Sequence, residues 1–232
     1  MSPSNFSAEN HSLLNVIADA LGELLDEVVF VGGITTFLLV ENRGAARHTK
    51  DVDVIVNITT KREYYAFAEK LRNKGFSENV EDGVLCRWNY KDESGFEHKI
   101  DVMPVATHVL GFTNKWYKSA IETADTYRLS NGKKIKVINK GYFLGTKFEA
   151  FLDRGNGDYF SHDMEDIVFV IEHSPNIMLE IKDLRDQELK ACISSAFKRL
   201  INDANFLSVL PGMLDDQSNI NHVKHVLSFS YE

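Results

Sequence analysis

Residues 51–56 read Asp-Val-Asp-Val-Ile-Val. Acid and valine alternate, and then the run turns wholly apolar. Side chains two apart on a strand point to one face. The pattern therefore predicts a β-strand over 51–57, with Val52, Val54 and Val56 in a core and Asp51 and Asp53 projecting together. Two adjacent carboxylates repel each other unless a cation lies between them. A hard divalent ion such as Mg²⁺ or Mn²⁺ suits oxygen ligands of this kind. The competing reading is a solvated strand edge.

The rest of the chain supplies a sheet for that strand. Leu13, Leu14, Ile17, Leu21, Leu24 and Leu25 recur at helical spacing. Residues 28–31 form a β-branched and aromatic run that stops at Gly32-Gly33, and 34–40 suits a short buried helix. A helix is predicted over 60–73, with Gly75 as its C-cap. Strand-like runs at 84–90 and 98–103 flank the turn residues Asp92-Glu93-Ser94-Gly95, which predicts an antiparallel hairpin. A further strand is expected over 134–137. Beyond Gly141 the period becomes helical, with candidate helices at 142–153, 162–173, 183–205 and 221–228. The fold class expected is α+β: a mixed sheet flanked by helices, followed by a mainly helical C-terminal half. The change of period divides the chain into domains at 1–135 and 136–232.

Several residues outside the first strand carry chemistry. Asp101 lies between Ile100 and Val102, so an acid there needs a partner. On a neighbouring strand it would join Asp51 and Asp53 as a third metal ligand, and three such acids suit metal-assisted phosphoryl or nucleotidyl transfer. The Gly32-Gly33 pair lets a ligand approach the backbone, and the helix that follows offers free N–H groups to phosphate. A plain turn is the commoner use of such a pair. Lys147 has Phe143, Leu144, Ala150 and Phe151 at helical spacing around it. A lysine on an apolar stripe either snorkels or meets an anion. Asp163 follows Ser161, a good N-cap, and so also fits a helix-dipole role.

Composition narrows the classes. The 232 residues are 44% hydrophobic and 26% charged, with a net charge of −8. That charge argues against a protein coated in nucleic acid. Residues 113–154 are the exception, with nine basic residues against four acidic ones. The patch could meet an RNA backbone or could simply be solvated. The two cysteines, Cys86 and Cys192, form no metal or redox motif, which fits a reduced cytoplasmic protein. The longest uncharged run, 28–40, has 13 residues and is too short to cross a membrane. His162-Asp163 and His222-x-x-His225 lack the further ligands a metal centre would require.

Gly-Gly, a gap, Asp-x-Asp on a strand and a distant Asp on another strand together resemble the nucleotidyltransferase superfamily with the DNA polymerase β fold. Arg47-x-Thr49-x-Asp51-x-Asp53 is similar to the AbiEii-type and MenT-type toxin nucleotidyltransferases. Lys147, Ala150, Arg154 and the Asp163-x-x-Asp166 helix extend that resemblance. The gap from Gly33 to Asp51 is longer than in minimal members, so 42–46 is expected to form a loop. The resemblance implies transfer of a nucleoside monophosphate from a nucleoside triphosphate to an acceptor hydroxyl. It implies Gly32, Gly33 and Thr35 at the triphosphate, with Arg47 and Thr49 steadying the loop or touching phosphate. Lys147 would neutralise phosphate charge, and Asp163 would bond Lys147 or the acceptor. A tRNA 3′ end as acceptor and an antitoxin protein as partner follow from the same analogy. A small hydroxylated acceptor, or a nucleotide-binding module without turnover, are the other readings.

Overall fold

A computed structural model describes residues 3–40 and 46–229, with side chains from residue 8 onward. Most of the loop expected at 42–46 lies outside the described residues. The chain forms two compact units, and each is described by itself. The first holds the residues up to Thr35 and Ala46–Ile138, and the second holds those from Thr36 and from Asn139.

The first unit is built on seven strands. They are β1 (Val28–Val31), β2 (Asp51–Val56), β3 (Phe76–Glu78), β4 (Arg87–Lys91), β5 (Glu97–Pro104), β6 (Asp125–Arg128) and β7 (Lys134–Val137). Their order is β3-β4-β5-β2-β1-β7-β6. The pairs β2/β5 and β1/β7 are parallel and the others antiparallel, so the sheet is mixed as expected. All four residues of β1 are buried, as are Val52, Val54 and Val56 of β2 and Ile100 and Val102 of β5. Burial on both faces explains the unbroken apolar run of β1.

Helix α1 (Pro3–Leu21) buries Leu14, Ile17, Ala18 and Leu21. Helix α3 (Lys61–Asn73) begins at a capping box, with Thr60 accepting from the Glu63 N–H and Glu63 reaching back to the Thr60 N–H. Gly75, at φ +87°, turns the chain out of it one residue beyond the cap Lys74.

The second unit contains α2 (Thr36–Leu39) and six helices from residue 140 onward: α6 (Lys140–Leu152), α7 (His162–Glu172), α8 (Ile177–Lys182), α9 (Gln187–Ile201), α10 (Ala204–Met213) and α11 (Ile220–Ser228). The short helices α4 (Thr107–Leu110) and α5 (Tyr117–Glu122) belong to the first unit. The single helix expected over 183–205 is in fact α9 and the start of α10. Asp203 ends the run by accepting from the N–H groups of Asn205 and Phe206, which starts a new helix. Glu172 is buried and ties down the chain ahead of α11. Its carboxylate accepts from the N–H groups of Asp215 and Asp216 and from Asn219 Nδ2, each at 3.0 Å. No helix among the described residues is long and apolar enough to cross a membrane.

Candidate active site

Three neighbouring strands set the site. In the β2/β5 register Asp53 stands opposite Asp101, and in the β4/β5 register Arg87 stands opposite Asp101. Directly paired residues share a face of the sheet. Arg87, Asp101 and Asp53 therefore form one rung, with Asp51 two residues along β2.

Arg87 is the hub. Its Nε donates to Asp101 Oδ1 and its Nη2 to Asp101 Oδ2, both at 2.8 Å, which is a bidentate pair. The same Nη2 donates to Asp51 Oδ2 at 2.8 Å, and Nη1 donates to Asp82 Oδ2 at 3.0 Å. Asp51 Oδ2 and Asp101 Oδ2 share one nitrogen, so they lie no more than twice 2.8 Å apart. Lys99 Nζ also donates to Asp82 Oδ2, at 2.7 Å. Arg87 is held above its usual pKa, chiefly by the hydrogen bonds to Asp101. The acids also act on their buried neighbour Cys86. Burial pushes its thiol up to about 12, and the charges of Asp101 and Asp53 add to the shift.

The glycine pair packs tightly. Val31 stands opposite Asp53, so Gly32 leaves β1 beside that carboxylate. A Cβ on Gly32 would lie 1.9 Å from Asp53 Oδ2 and 2.9 Å from Asp53 Cβ, and Gly32 has φ +71°. A Cβ on Gly33 would lie 2.3 Å from Arg47 Nη2 and 3.1 Å from Thr49 Cγ2. The space that these glycines leave is thus filled by the chain's own Asp53 and Arg47. Thr35 is buried and donates from Oγ1 to the Gly32 carbonyl at 2.8 Å, which closes the turn. Gly32→Ala is expected to force Asp53 aside, because the clash reaches a Cβ that cannot rotate away, and the positive φ adds strain of about 1 kcal/mol or more. Loss of transfer activity together with a lower melting temperature would show it, and an unchanged enzyme would refute the packing.

Asn10 on α1 is a further positioning residue. It is fully buried, its Nδ2 donates to the Arg47 carbonyl at 2.9 Å, and its Oδ1 accepts from the Thr49 N–H at 3.1 Å and Thr49 Oγ1 at 3.3 Å. This fixes the segment that enters β2. Nothing in the sequence around Asn10 singles it out. Arg87 and Lys99 were likewise outside the expected set.

Lys147 and Asp163 belong to the second unit. Lys147 Nζ donates to Asp163 Oδ1 at 2.9 Å and pairs with Asp166 Oδ2 at 2.6 Å, so the ammonium expected to meet phosphate is matched by two carboxylates. Burial opposes that charge, but Asp166 and Asp163 outweigh it and hold the lysine above its ordinary pKa. Asp163 also accepts from Arg154 at 3.4 Å. His162 pairs with Glu165, and His222 Nε2 lies 3.2 Å from the Ile171 carbonyl. The basic stretch includes the β6–β7 hairpin, where Arg128, Lys134 and Lys136 are exposed. Arg128 and Lys134 face each other across the two strands, while Lys136 donates to the Asp26 carbonyl.

Among the described residues, no group of three or more His, Cys, Asp or Glu is arranged to hold a metal ion. Arg87 takes both oxygens of Asp101 and one of Asp51. The donor chemistry itself, hard carboxylate oxygens on one face, suits Mg²⁺ or Mn²⁺.

No protein-family model matches the chain, and no curated protein sequence does. Solved structures do match. A lincomycin-bound lincosamide antibiotic adenylyltransferase, LnuA, is 18% identical, with 68% of this chain and 94% of that chain covered, at a TM-score of 0.40. An antigenic nucleotidyltransferase-like protein from Paracoccidioides brasiliensis is also 18% identical, with 92% of this chain and 97% of that chain covered, at a TM-score of 0.54. This second likeness, over nearly the whole of both chains, shows the fold: a nucleotidyltransferase-like mixed sheet with flanking helices.

Proposed function

We propose that the chain is a nucleotidyltransferase that moves a nucleoside monophosphate from a nucleoside triphosphate to an acceptor hydroxyl. The observation that carries this reading is the rung of Asp53 and Asp101 on adjacent parallel strands, with Asp51 beside it and the Gly32 turn packed against Asp53. The acceptor oxygen forms a bond to the α-phosphorus. The bond from that phosphorus to the β-phosphate bridging oxygen breaks, and pyrophosphate leaves with its electron pair. The hydroxyl proton passes to a base.

In this reading Asp51 and Asp53 hold a divalent ion, Mg²⁺ or Mn²⁺, and Asp101 completes its ligands. Bound there, the ion would supply Lewis-acid polarisation of the phosphate and ease loss of the acceptor proton. Asp101 is also the candidate base. Each of its oxygens accepts one hydrogen bond from Arg87, and a carboxylate oxygen has a second lone pair for a proton or a metal. Arg47 is assigned to phosphate because its guanidinium lies against Gly33. Gly32 and Thr35 shape the turn, and Thr49 anchors the strand entry through Asn10. Lys147, with Asp163 and Asp166, is assigned to bracing α6 on α7.

For the acceptor we favour an RNA 3′ end, such as that of a tRNA. The exposed cations of the β6–β7 hairpin support it, because like charges facing across strands are unfavourable in isolation and a polyanion would relieve them. A toxin-like role with an antitoxin partner extends the same reading. The test is incubation with each α-labelled nucleoside triphosphate, Mg²⁺ and total RNA. Label fixed in RNA is the expected result. Label on a small hydroxylated compound alone would overturn the RNA acceptor, and no label on any acceptor would overturn the enzyme.

A further inference from the structure

Arg87 sets an electrostatic problem that the transfer reaction does not explain. Its side chain is only 16% exposed and contacts three carboxylates, those of Asp51, Asp82 and Asp101. Two of these acids are proposed metal ligands. A guanidinium among metal ligands opposes a divalent ion in two ways. It repels the ion's charge, and it occupies oxygens that the ion would take. It also confers a benefit, because without it Asp101, which is 10% exposed, and Asp51 would face each other as like charges with Lys99, held on Asp82, as the neighbouring cation.

The two contacts are unequal. Asp101 is held bidentately, whereas Asp51 receives one hydrogen bond and is 34% exposed. Arg87 is therefore anchored on Asp101 and rests on Asp51. Asp82 reinforces the anchor from the other side, itself steadied by Lys99.

Resting on the proposed nucleotidyltransferase reading, we infer that Arg87 is a positioning residue that serves as the site's resident counter-cation: it holds Asp101 and Asp51 together and would compete with a divalent ion for them. A divalent ion would take Asp51 at the expense of the single Arg87 contact, while the bidentate pair would keep Asp101 oriented. Metal affinity would thereby be lowered, and a nucleoside triphosphate, which brings phosphate oxygens as further ligands, would raise it.

The test uses the full chain and Mn²⁺ as the probe, with binding measured by titration calorimetry and by melting temperature in EDTA and in Mn²⁺. Removing a unit positive charge within a few ångströms of the ion is expected to tighten Mn²⁺ binding by about tenfold or more. Arg87→Met should therefore bind Mn²⁺ about tenfold more tightly than wild type. It should melt lower than wild type in EDTA and recover more of its stability on adding Mn²⁺. Arg87→Lys, which keeps the charge without the fork, should fall between the two. A purely structural arginine would give weaker or unchanged Mn²⁺ binding in Arg87→Met, and that result overturns the inference. Asp53→Asn separates the levels. If it abolishes the Mn²⁺ response while Arg87→Met matches wild type, Arg87 is not a competitor but the metal site stands. If wild type and Arg87→Met are both indifferent to Mn²⁺, the metal site falls and the inference with it.

Discussion

Asp53→Asn is expected to abolish nucleotide transfer while leaving the protein folded. Asn keeps the shape of the side chain that packs against Gly32 and removes only the charge. The half-exposed position on β2 tolerates that change, because the core contribution of the strand comes from Val52, Val54 and Val56. The chemical loss is far larger. Metal-based charge stabilisation of the transition state supplies several kcal/mol, so a drop on the order of 10³-fold in rate is expected when a principal ligand is lost. Transfer measured with labelled nucleoside triphosphate, beside circular dichroism and a melting curve, checks both halves of the expectation. A variant within tenfold of wild type would place the chemistry elsewhere. A variant that fails to fold would show that Asp53 serves the Gly32 turn rather than the reaction.

What sequence could and could not reveal follows from the range of the interactions. Asp51 and Asp53 are legible because a period of two is local and fixes the shared face without any knowledge of the partner strand. Asp101 is legible for the same local reason, an acid between two apolar neighbours. Arg87 is different: its partners Asp101 and Asp51 lie 14 and 36 residues away, and only strand pairing brings them together. Yet the signal was present in part. The turn at Asp92–Gly95 fixes Lys91 opposite Glu97, and counting outward from it sets Arg87 opposite Asp101. The edge strands β3 and β6 escaped notice because they are short and polar. Of β3 only Phe76 is buried, and of β6 none is. Helices α9 and α10 read as one because the apolar stripe runs past Ile201, and the break depends on the Asp203 side chain bonding backbone instead of solvent. Lys147 shows a third kind of limit. The apolar stripe around it announces that its charge has a partner, but it does not say whether the partner is a phosphate or the chain's own acids.

Lys147→Met answers that question, and its expected effect is on stability. The lysine side chain is 9% exposed and Asp166 only 2%. Removing the ammonium leaves two carboxylates facing one another in a buried setting, and breaking a buried ion pair on one side costs about 3–5 kcal/mol. For a chain of this size the melting temperature should fall by roughly 10 °C. Asp163 can still lean on Arg154, whose side chain is largely exposed, so Asp166 bears most of the cost. Lys147→Met combined with Asp166→Asn should accordingly regain part of the loss, since the residual buried charge is gone. The pH dependence has a definite sign. The folded pKa of Lys147 is raised above its ordinary 10.5, so its contribution is fully present below that value and is lost only as pH climbs through the higher folded value. Wild type should therefore keep this brace at pH 9–10, and alkaline unfolding of the Lys147→Met variant should lack that component. Should the variant instead melt like wild type and lose affinity for nucleoside triphosphate, the ammonium would belong to the phosphate and the two acids would be its guides rather than its partners.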